Sequence, residues 1–309
     1  MKHLLSIKDL VKQEILDLTN FAQGIKKSPK KYATSAFEKN LLMMFEAPSL
    51  RTRISFETAM VQMGGDSINY HMEHSPWGHG KESIEDSAKT ISRYVDIAMA
   101  RIYSHEELVK FAASASVPII NAMTNFEHPC QTLGDLLTIT EKKKKLKGLT
   151  LTYVGDSNNN VTNSLLYGCA KVGININIAC PKRKEFSPVM SIVKEARTFA
   201  KKERSSVNIY NDVKKAVKNA DIIYTDSWMS YRIPKAQKAK RIKVLKPFQV
   251  TKKVMSYAKK NAIFMHCLPA KRGLEVSADV IDSPQSVVFD QAENRLHTEK
   301  AILLWLLKG

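Results

Sequence analysis

The chain has 309 residues and a hydrophobic fraction of 44%, which predicts a globular protein of about two domains and excludes a disordered or fibrous one. No apolar run approaches the roughly 20 residues that span a bilayer, and the charged amino terminus has no signal-type apolar core, so we expect neither membrane insertion nor export. Four cysteines without CxxC spacing argue against a zinc site or a disulfide framework and favour a cytoplasmic protein.

The net charge of +18 is the strongest bulk signal, and it has two interpretations. One is an anionic partner, either nucleic acid or a phosphorylated metabolite. The other is a protein that uses lysine as its ordinary surface residue, which the lysine runs at 141–147 and 201–204 favour because they lie at predicted element ends. None of these runs carries the interleaved aromatic side chains typical of nucleic-acid binding, so we expect no nucleic-acid partner.

Short apolar runs alternate with helical patterns along the first half of the chain, which is typical of a parallel sheet with crossover helices. A helix is predicted from Thr52 to about Met63, where Gly64 and Gly65 end it. The strands predicted in this half are 40–46, 67–71, 96–103 and 117–121.

The second half repeats the pattern and ends in an apolar helix. The strands predicted there are 149–154, 174–179, 206–210, 221–225, 262–266 and 286–289, with helices that include 187–203, 249–260 and 291–308. The fold class is therefore α/β, with two doubly wound domains built on central parallel sheets. We place the domains at 1–147 and 148–290, and we expect the helix at about 291–309 to return to the first domain.

Ligands of such sheets collect at the carboxyl ends of the strands, so the residues at those ends are the candidate site residues. After the first strand, Ser49, Arg51, Thr52 and Arg53 supply hydroxyl groups and guanidinium groups at a helix amino terminus, which suits phosphate. The alternative is a serine cap with two solvated arginines.

The next strand ends supply further donors. Arg101 ends an apolar strand, where an arginine is costly unless it pairs or faces a polar site. The fourth strand leads to His128 and Gln131, just before another helix. A single histidine is usually structural, but three consecutive strand ends that each present a donor predict one anion site.

The second half supplies a different set of side chains. A polar turn at 155–160 follows one strand and is not GxGxxG, so a dinucleotide site is not favoured. Asp226 and Ser230 follow another strand, and Cys267 follows His266 at the end of a third. Neighbours in extended backbone point to opposite faces, so this pair does not predict a cysteine-protease site. Asp, Asn and Ser suit an ammonium group, which predicts an enzyme that joins a phosphorylated donor to an amine.

Several stretches carry a family resemblance. PSLRTRISFE (48–57) resembles the carbamoyl-phosphate signature of aspartate and ornithine carbamoyltransferases, and EHPCQTLGDLLTI (127–139) resembles their His-Pro-x-Gln segment. FMHCLPAKRG (264–273), the stretch 282–303 and the turn GDSNNNVTNSL (155–165) resemble the ornithine branch. The resemblance runs in order from about residue 40 to the carboxyl terminus.

The resemblance implies transfer of the carbamoyl group from carbamoyl phosphate to the δ-amine of L-ornithine, with no cofactor and no metal. It also implies a homotrimer in which Lys81 completes a neighbouring subunit's donor site. It places catalysis at Arg51, Arg101, His128 and Cys267. The residues implied for carbamoyl phosphate are Ser49, Leu50, Arg51, Thr52, Lys81, Arg101, His128, Gln131 and Arg295. Those implied for ornithine are Asn160, Asp226, Ser230, Tyr231, Cys267 and Leu268.

Two departures from the family pattern and one unexpected tryptophan stand out. Leu50 stands where the family commonly has threonine, which removes a hydroxyl but keeps a backbone N–H. Tyr231 and Arg232 stand where the ornithine branch usually has Met-Gly, so a related amine such as putrescine or lysine is an alternative acceptor. Trp77, four residues before Lys81, is also unexpected, and it has either a packing role or a role as a substrate wall.

Overall fold

The computed structural model describes residues 1–229 and 233–308, and this part of the chain forms two compact units. Unit 1 contains residues 1–137 and the chain from Glu293 onward, and unit 2 contains residues 138–292. No helix among the described residues is long and apolar enough to cross a membrane.

Unit 1 is built on a four-stranded parallel sheet of order β2-β1-β3-β4, in which β1 is Asn40–Phe45, β2 is Asp66–His71, β3 is Ile97–Arg101 and β4 is Ile119–Met123. These four strands confirm the prediction. The helices that begin in this unit are α1 (Lys12–Lys27), α2 (Leu50–Gln62), α3 (Ile84–Ile91), α4 (His105–Ser114) and α5 (Pro129–Lys143).

Unit 2 is built on a five-stranded parallel sheet of order β7-β6-β5-β8-β9. Its strands are β5 (Thr150–Val154), β6 (Asn175–Ala179), β7 (Val207–Tyr210), β8 (Ile222–Thr225) and β9 (Ile263–His266). The helices that follow α5 are α6 (Asn160–Val172), α7 (Met190–Glu203), α8 (Val213–Val217), α9 (Lys238–Leu245), α10 (Lys252–Met255), α11 (Ala278–Ile281) and α12 (Val288–Leu307).

The last helix returns to the first domain, as predicted, because the chain from Glu293 onward belongs to unit 1. Its apolar run Ala301–Leu304 is fully buried, which explains why so hydrophobic a segment ends the sequence.

Two predicted elements are wrong. There is no strand at 286–289: Ser286 forms a single bridge with Phe264, and α12 already begins at Val288. The helix predicted at 249–260 is limited to Lys252–Met255, because the backbone N–H of Lys259 bonds to the carbonyl of Ala220 instead of continuing the helix.

Strand order fixes where each unit can bind a ligand. In the sheet of unit 1, β1 lies between β2 and β3. In the sheet of unit 2, β5 lies between β6 and β8. Loops that diverge from such a pair of strands leave a crevice at their carboxyl ends. The crevices are therefore formed by the residues after β1 and β3 in unit 1, and by those after β5 and β8 in unit 2.

Candidate active site

The amino terminus of α2 presents the first group of candidate residues. Ser49 is its N-cap, and the Ser49 hydroxyl accepts a hydrogen bond from the backbone N–H of Thr52 at 3.2 Å. Leu50 is exposed, Arg51 is half-buried and Thr52 is buried. The exposed Arg53 instead lies 3.9 Å from Glu57, one turn along the helix. Of the two arginines, Arg51 alone is associated with the polar cluster of unit 1.

That cluster centres on His128. Burial, followed by the charges of Arg295, Arg101 and Arg51, holds the pKa of His128 well below its usual value. The imidazole is therefore neutral at physiological pH, and it can donate one hydrogen bond and accept another. Three arginines surround this neutral histidine, and one of them, Arg295, is paired with the Glu299 carboxylate.

The loop between β4 and α5 holds His128 in place. The N–H of Thr124 bonds to the carbonyl of Glu127 at 2.9 Å, and the buried Glu127 carboxylate accepts hydrogen bonds from the Ser6 hydroxyl and from the N–H of Ile7 at 3.2 Å. Pro129 then begins α5, a position at which proline loses no helical hydrogen bond. The amino-terminal segment thus fixes the histidine loop.

Arg101 ends β3 and is 8% exposed. Its backbone carbonyl accepts the N–H groups of Glu46 at 3.0 Å and Ala47 at 3.4 Å, which ties the loop after β1 to the end of β3. Backbone bonds therefore hold the Arg101 and α2 contributions together.

Arg295 lies in α12 and is engaged by protein groups. Its Nη1 donates to Gln131 Oε1 at 2.9 Å, and its Nη2 contacts the Glu299 carboxylate and, at 3.5 Å, the hydroxyl of Thr52. Gln131 in turn donates to Asp135 at 2.8 Å. A guanidinium held in this way supports Gln131 and Thr52 through hydrogen bonds.

Sequence reasoning missed the partners of Arg295. Glu299 follows Arg295 by four residues on the same helix, a spacing that could have indicated the ion pair. Gly134 was also missed: a Cβ atom there would lie 3.2 Å from Cδ of Arg295, so the close approach of α5 and α12 favours glycine.

Two residues of the loop between β2 and α3 lie apart from this cluster. Lys81 is exposed, and no described contact of the chain joins its side chain to His128 or the arginines. Trp77 is buried and stacks on Phe111, with ring centroids 5.5 Å apart and an interplanar angle of 17°. The structure favours the packing role for this tryptophan.

In unit 2, the turn after β5 leads into α6. Gly155 has φ of +127°, and a Cβ atom there would lie 3.2 Å from Nε1 of Trp228. Asn159 caps α6 by accepting the N–H of Thr162 at 2.8 Å, and Asn160 is the first residue of the helix. The turn therefore presents Asn160 at the carboxyl end of β5.

Asp226 and Cys267 meet at the ends of β8 and β9. The Cys267 thiol lies 3.1 Å from Oδ1 of Asp226, which also accepts the N–H of Ser227 at 2.7 Å. Leu268 has φ of +58° and precedes a cis proline, and its N–H donates to Nδ1 of His266 at 2.9 Å. Ser230 and Tyr231, expected to bind the amino acid, lie outside the described residues, as does Arg232.

Asp226, His266 and Cys267 are also a possible set of metal ligands, with one ligand atom from each within 4.8 Å of the others. His266 is fully buried, and Nδ1 of its ring already accepts the N–H of Leu268. The expectation of an enzyme without a metal stays a prediction.

Two family models cover nearly the whole chain. The aspartate/ornithine carbamoyltransferase carbamoyl-P binding domain matches residues 2–141, and the Asp/Orn binding domain of the same family matches residues 147–306. The chain belongs to the aspartate/ornithine carbamoyltransferase family.

Individual members of this carbamoyltransferase family agree along the full length. A protein of Methanobrevibacter smithii named ornithine carbamoyltransferase is 45% identical over 308 residues, covering 100% of both chains. One of Pyrococcus horikoshii is 44% identical over 310 residues, covering 100% of this chain and 96% of its own. The solved ornithine carbamoyltransferase of Pyrococcus furiosus superposes with a TM-score of 0.94 at 42% identity, covering 100% of this chain and 97% of its own.

Proposed function

We propose that this carbamoyltransferase transfers the carbamoyl group of carbamoyl phosphate to the δ-amine of L-ornithine, giving L-citrulline and phosphate. The observation that carries the proposal is the cluster of Arg51, Arg101 and Arg295 around a neutral His128, in a chain that resembles ornithine carbamoyltransferases along its full length. A basic nucleic-acid-binding protein would need neither this buried cluster nor that resemblance.

In the donor half, the amino terminus of α2 holds the phosphate. Ser49, Leu50, Arg51 and Thr52 offer hydroxyl, backbone and guanidinium donors at the positive end of a helix. Gln131, supported by Arg295, faces the carbamoyl group. This assigns carbamoyl phosphate to the first domain, 1–147 with the last helix, and the amino acid to 148–290.

The chemical step is attack of the neutral δ-amine on the carbamoyl carbon. Negative charge gathers on the carbonyl oxygen, where Arg101 and His128 donate hydrogen bonds, each typically worth about 3–4 kcal/mol. His128 is neutral, so it donates through the N–H of its ring and stays uncharged. The departing phosphate accepts the proton of the amine, so no dedicated protein base is required.

In the acceptor half, Asn160, Asp226, Ser230 and Tyr231 hold the α-amino and carboxylate ends of ornithine. Cys267 and the carbonyl of Leu268 face the δ-amine. An alkyl amine has a pKa of about 10 in water, so the site has to favour the neutral form. Hydrogen-bond acceptors of low charge do so, and positioning of the two substrates supplies much of the remaining rate.

We also propose a homotrimer in the cytoplasm, in which Lys81 reaches a neighbouring subunit's donor. One face of α2 supports assembly: Leu50, Ile54 and Val61 are 66%, 53% and 65% exposed and lie on one side of the helix. A second copy of the chain would remove this apolar surface from water. Sedimentation velocity of an Ile54→Glu variant tests the assembly. A charge on this face should dissociate the trimer and so lower the molecular mass of the species in solution.

The decisive experiment is an amine panel. Phosphate release from carbamoyl phosphate is measured with L-ornithine, L-lysine, putrescine and N-acetylornithine, because Tyr231 and Arg232 replace the usual Met-Gly of the family. The proposal expects turnover that depends on L-ornithine and yields citrulline. Turnover with putrescine or lysine but not with ornithine would make the protein a related carbamoyltransferase.

A further inference from the structure

Arg241 of α9 contacts three loops of unit 2 at once. Its Nη2 pairs with the carboxylate of Asp156, and its Nε donates to the backbone carbonyl of Trp228 at 3.0 Å. Its guanidinium carbon lies 4.9 Å from the ring centroid of Phe186. Arg241 is 8% exposed, so these contacts are largely shielded from water. We call Arg241, Asp156, Phe186 and Trp228 the Arg241 clamp.

The three loops follow neighbouring strands. Asp156 follows β5, Phe186 follows β6 and Trp228 follows β8, and the sheet order places β5 between the other two. The clamp therefore spans the carboxyl edge of the sheet, where ligands of this architecture bind.

On one side, the clamp is tied to the turn that presents Asn160. Oδ1 of Asp156 accepts the N–H of Asn158 at 3.1 Å. The backbone carbonyl of Asp156 accepts Nδ2 of Asn159 at 2.7 Å and the hydroxyl of Tyr153 at 2.8 Å. A shift of Asp156 would consequently move the start of α6.

On the other side, the clamp is tied to the segment that presents Asp226. The carbonyl that accepts the Arg241 hydrogen bond belongs to Trp228, two residues along the chain from Asp226. Trp228 also packs with Phe186 and with Leu245 of α9 in a small buried cluster. Arg241 thus connects the Asp226 segment to the Asn160 turn.

We propose that Arg241 is a positioning residue for the amino-acid substrate: by bonding to Asp156 and to the Trp228 carbonyl, it fixes the spacing between Asn160 and Asp226. This inference rests on the proposed function, in which those two residues hold the amino acid. A guanidinium is suited to the role because its fork bonds to two acceptors while its face lies on an aromatic ring. A lysine ammonium cannot reproduce that geometry.

The alternative is that Arg241 only stabilises the fold. If the role of Arg241 is purely structural, its replacement should lower the unfolding temperature and affect the two Michaelis constants equally. If Arg241 positions the substrate, its replacement should raise the KM for the amino acid and leave the KM for carbamoyl phosphate nearly unchanged. The two roles therefore predict different kinetics.

The pH profile gives a second readout. Burial raises the pKa of the Asp156 carboxyl to about 6, against the opposing charge of Arg241. The other titratable groups that interact electrostatically with Asp156 are Asp226, Tyr153 and Cys180. As the pH falls through about 6, Asp156 becomes protonated and the clamp loses its ion pair. The KM for the amino acid should then rise more steeply in the wild type than in Asp156→Asn.

The test compares Arg241→Gln, Arg241→Lys and Asp156→Asn with the control Arg197→Gln. Arg197 also donates Nε to a backbone carbonyl, that of Val207 at 3.2 Å, but Val207 begins its strand and lies at the opposite edge of the sheet. Arg241→Gln should raise the KM for L-ornithine about tenfold or more, since a charge-assisted bond is lost, and change that for carbamoyl phosphate less than about twofold. Arg241→Lys should fall between wild type and Arg241→Gln.

The double variant Asp156→Asn/Arg241→Gln should resemble the more affected single variant, because each change breaks the same ion pair between Asp156 and Arg241. An unchanged ornithine KM in folded Arg241→Gln, or an equal rise in both Michaelis constants, would overturn the inference. If Arg241→Gln does not fold, the same split is sought in Arg241→Lys and Asp156→Asn. Absence of ornithine turnover in the wild type would instead refute the proposed function.

Discussion

Replacement of Arg295 by methionine should destabilise unit 1 strongly, because it leaves a carboxylate buried without its cation. Arg295 is 2% exposed and Glu299 is fully buried. Burial raises the pKa of Glu299, and the charge of Arg295 opposes that rise. Methionine keeps much of the volume of the arginine stem and removes the charge.

The magnitude follows from these contacts. Breaking a buried ion pair by removal of one partner typically costs about 3–5 kcal/mol. Loss of the hydrogen bond from Arg295 Nη1 to Gln131 adds about 1 kcal/mol. Replacement of both partners by apolar residues is often nearly neutral. The double variant Arg295→Met/Glu299→Met should therefore recover several kcal/mol relative to Arg295→Met alone.

Urea unfolding followed by tryptophan fluorescence measures this difference. Trp77 and Trp305 belong to unit 1 and Trp228 belongs to unit 2, so a Trp228→Phe background confines the signal to unit 1. All variants, and the Trp228→Phe parent, are compared at pH 7 and constant ionic strength.

Two results would refute the reasoning. One is a loss of less than about 1 kcal/mol in Arg295→Met, which would mean that Glu299 finds other compensation. The other is a double variant no more stable than Arg295→Met, which would mean that the arginine stabilises unit 1 independently of Glu299.

Three further predictions concern single positions. Arg51→Ala should lower kcat/KM for carbamoyl phosphate about 100-fold or more, whereas Arg53→Ala should change it less than about threefold, because Arg53 forms only an exposed pair; equal effects in steady-state assays would contradict the assignment. The neutral His128 favours the folded state above the ordinary histidine pKa of 6.5, and this stability is lost as the pH falls below it. The wild type should therefore lose more stability than His128→Asn between pH 7.5 and 5.5, measured by thermal unfolding; equal losses would refute this. Gly155→Ala should cost about 1–3 kcal/mol in urea unfolding, because φ is positive and Trp228 is close; an unchanged unfolding midpoint would contradict it.

Much of the sheet architecture was predictable because a buried strand is indicated by the local pattern of apolar residues. Runs such as Leu41–Phe45 are apolar because both faces of a parallel sheet are covered by helices. All nine strands among the described residues coincide with predicted runs. The tenth, 286–289, failed because the same apolar residues also suit the first turn of a buried helix, and local pattern does not distinguish the two.

The polar side chains that gather in unit 1 were also predictable from the residues alone. Arg51 and His128 follow parallel strands and Arg101 ends one. Parallel strands end at one edge of a sheet, so the convergence of these residues needed no knowledge of packing.

The role of each charge, in contrast, depends on the folded surroundings. Burial and three surrounding arginines make His128 neutral, and contacts across more than a hundred residues of sequence engage Arg295 with Gln131. Arg241, which looks like one more surface cation in a lysine-rich helix, pairs with Asp156 eighty-five residues earlier. Desolvation and long-range pairing set these states, and both depend on neighbours that are distant along the chain.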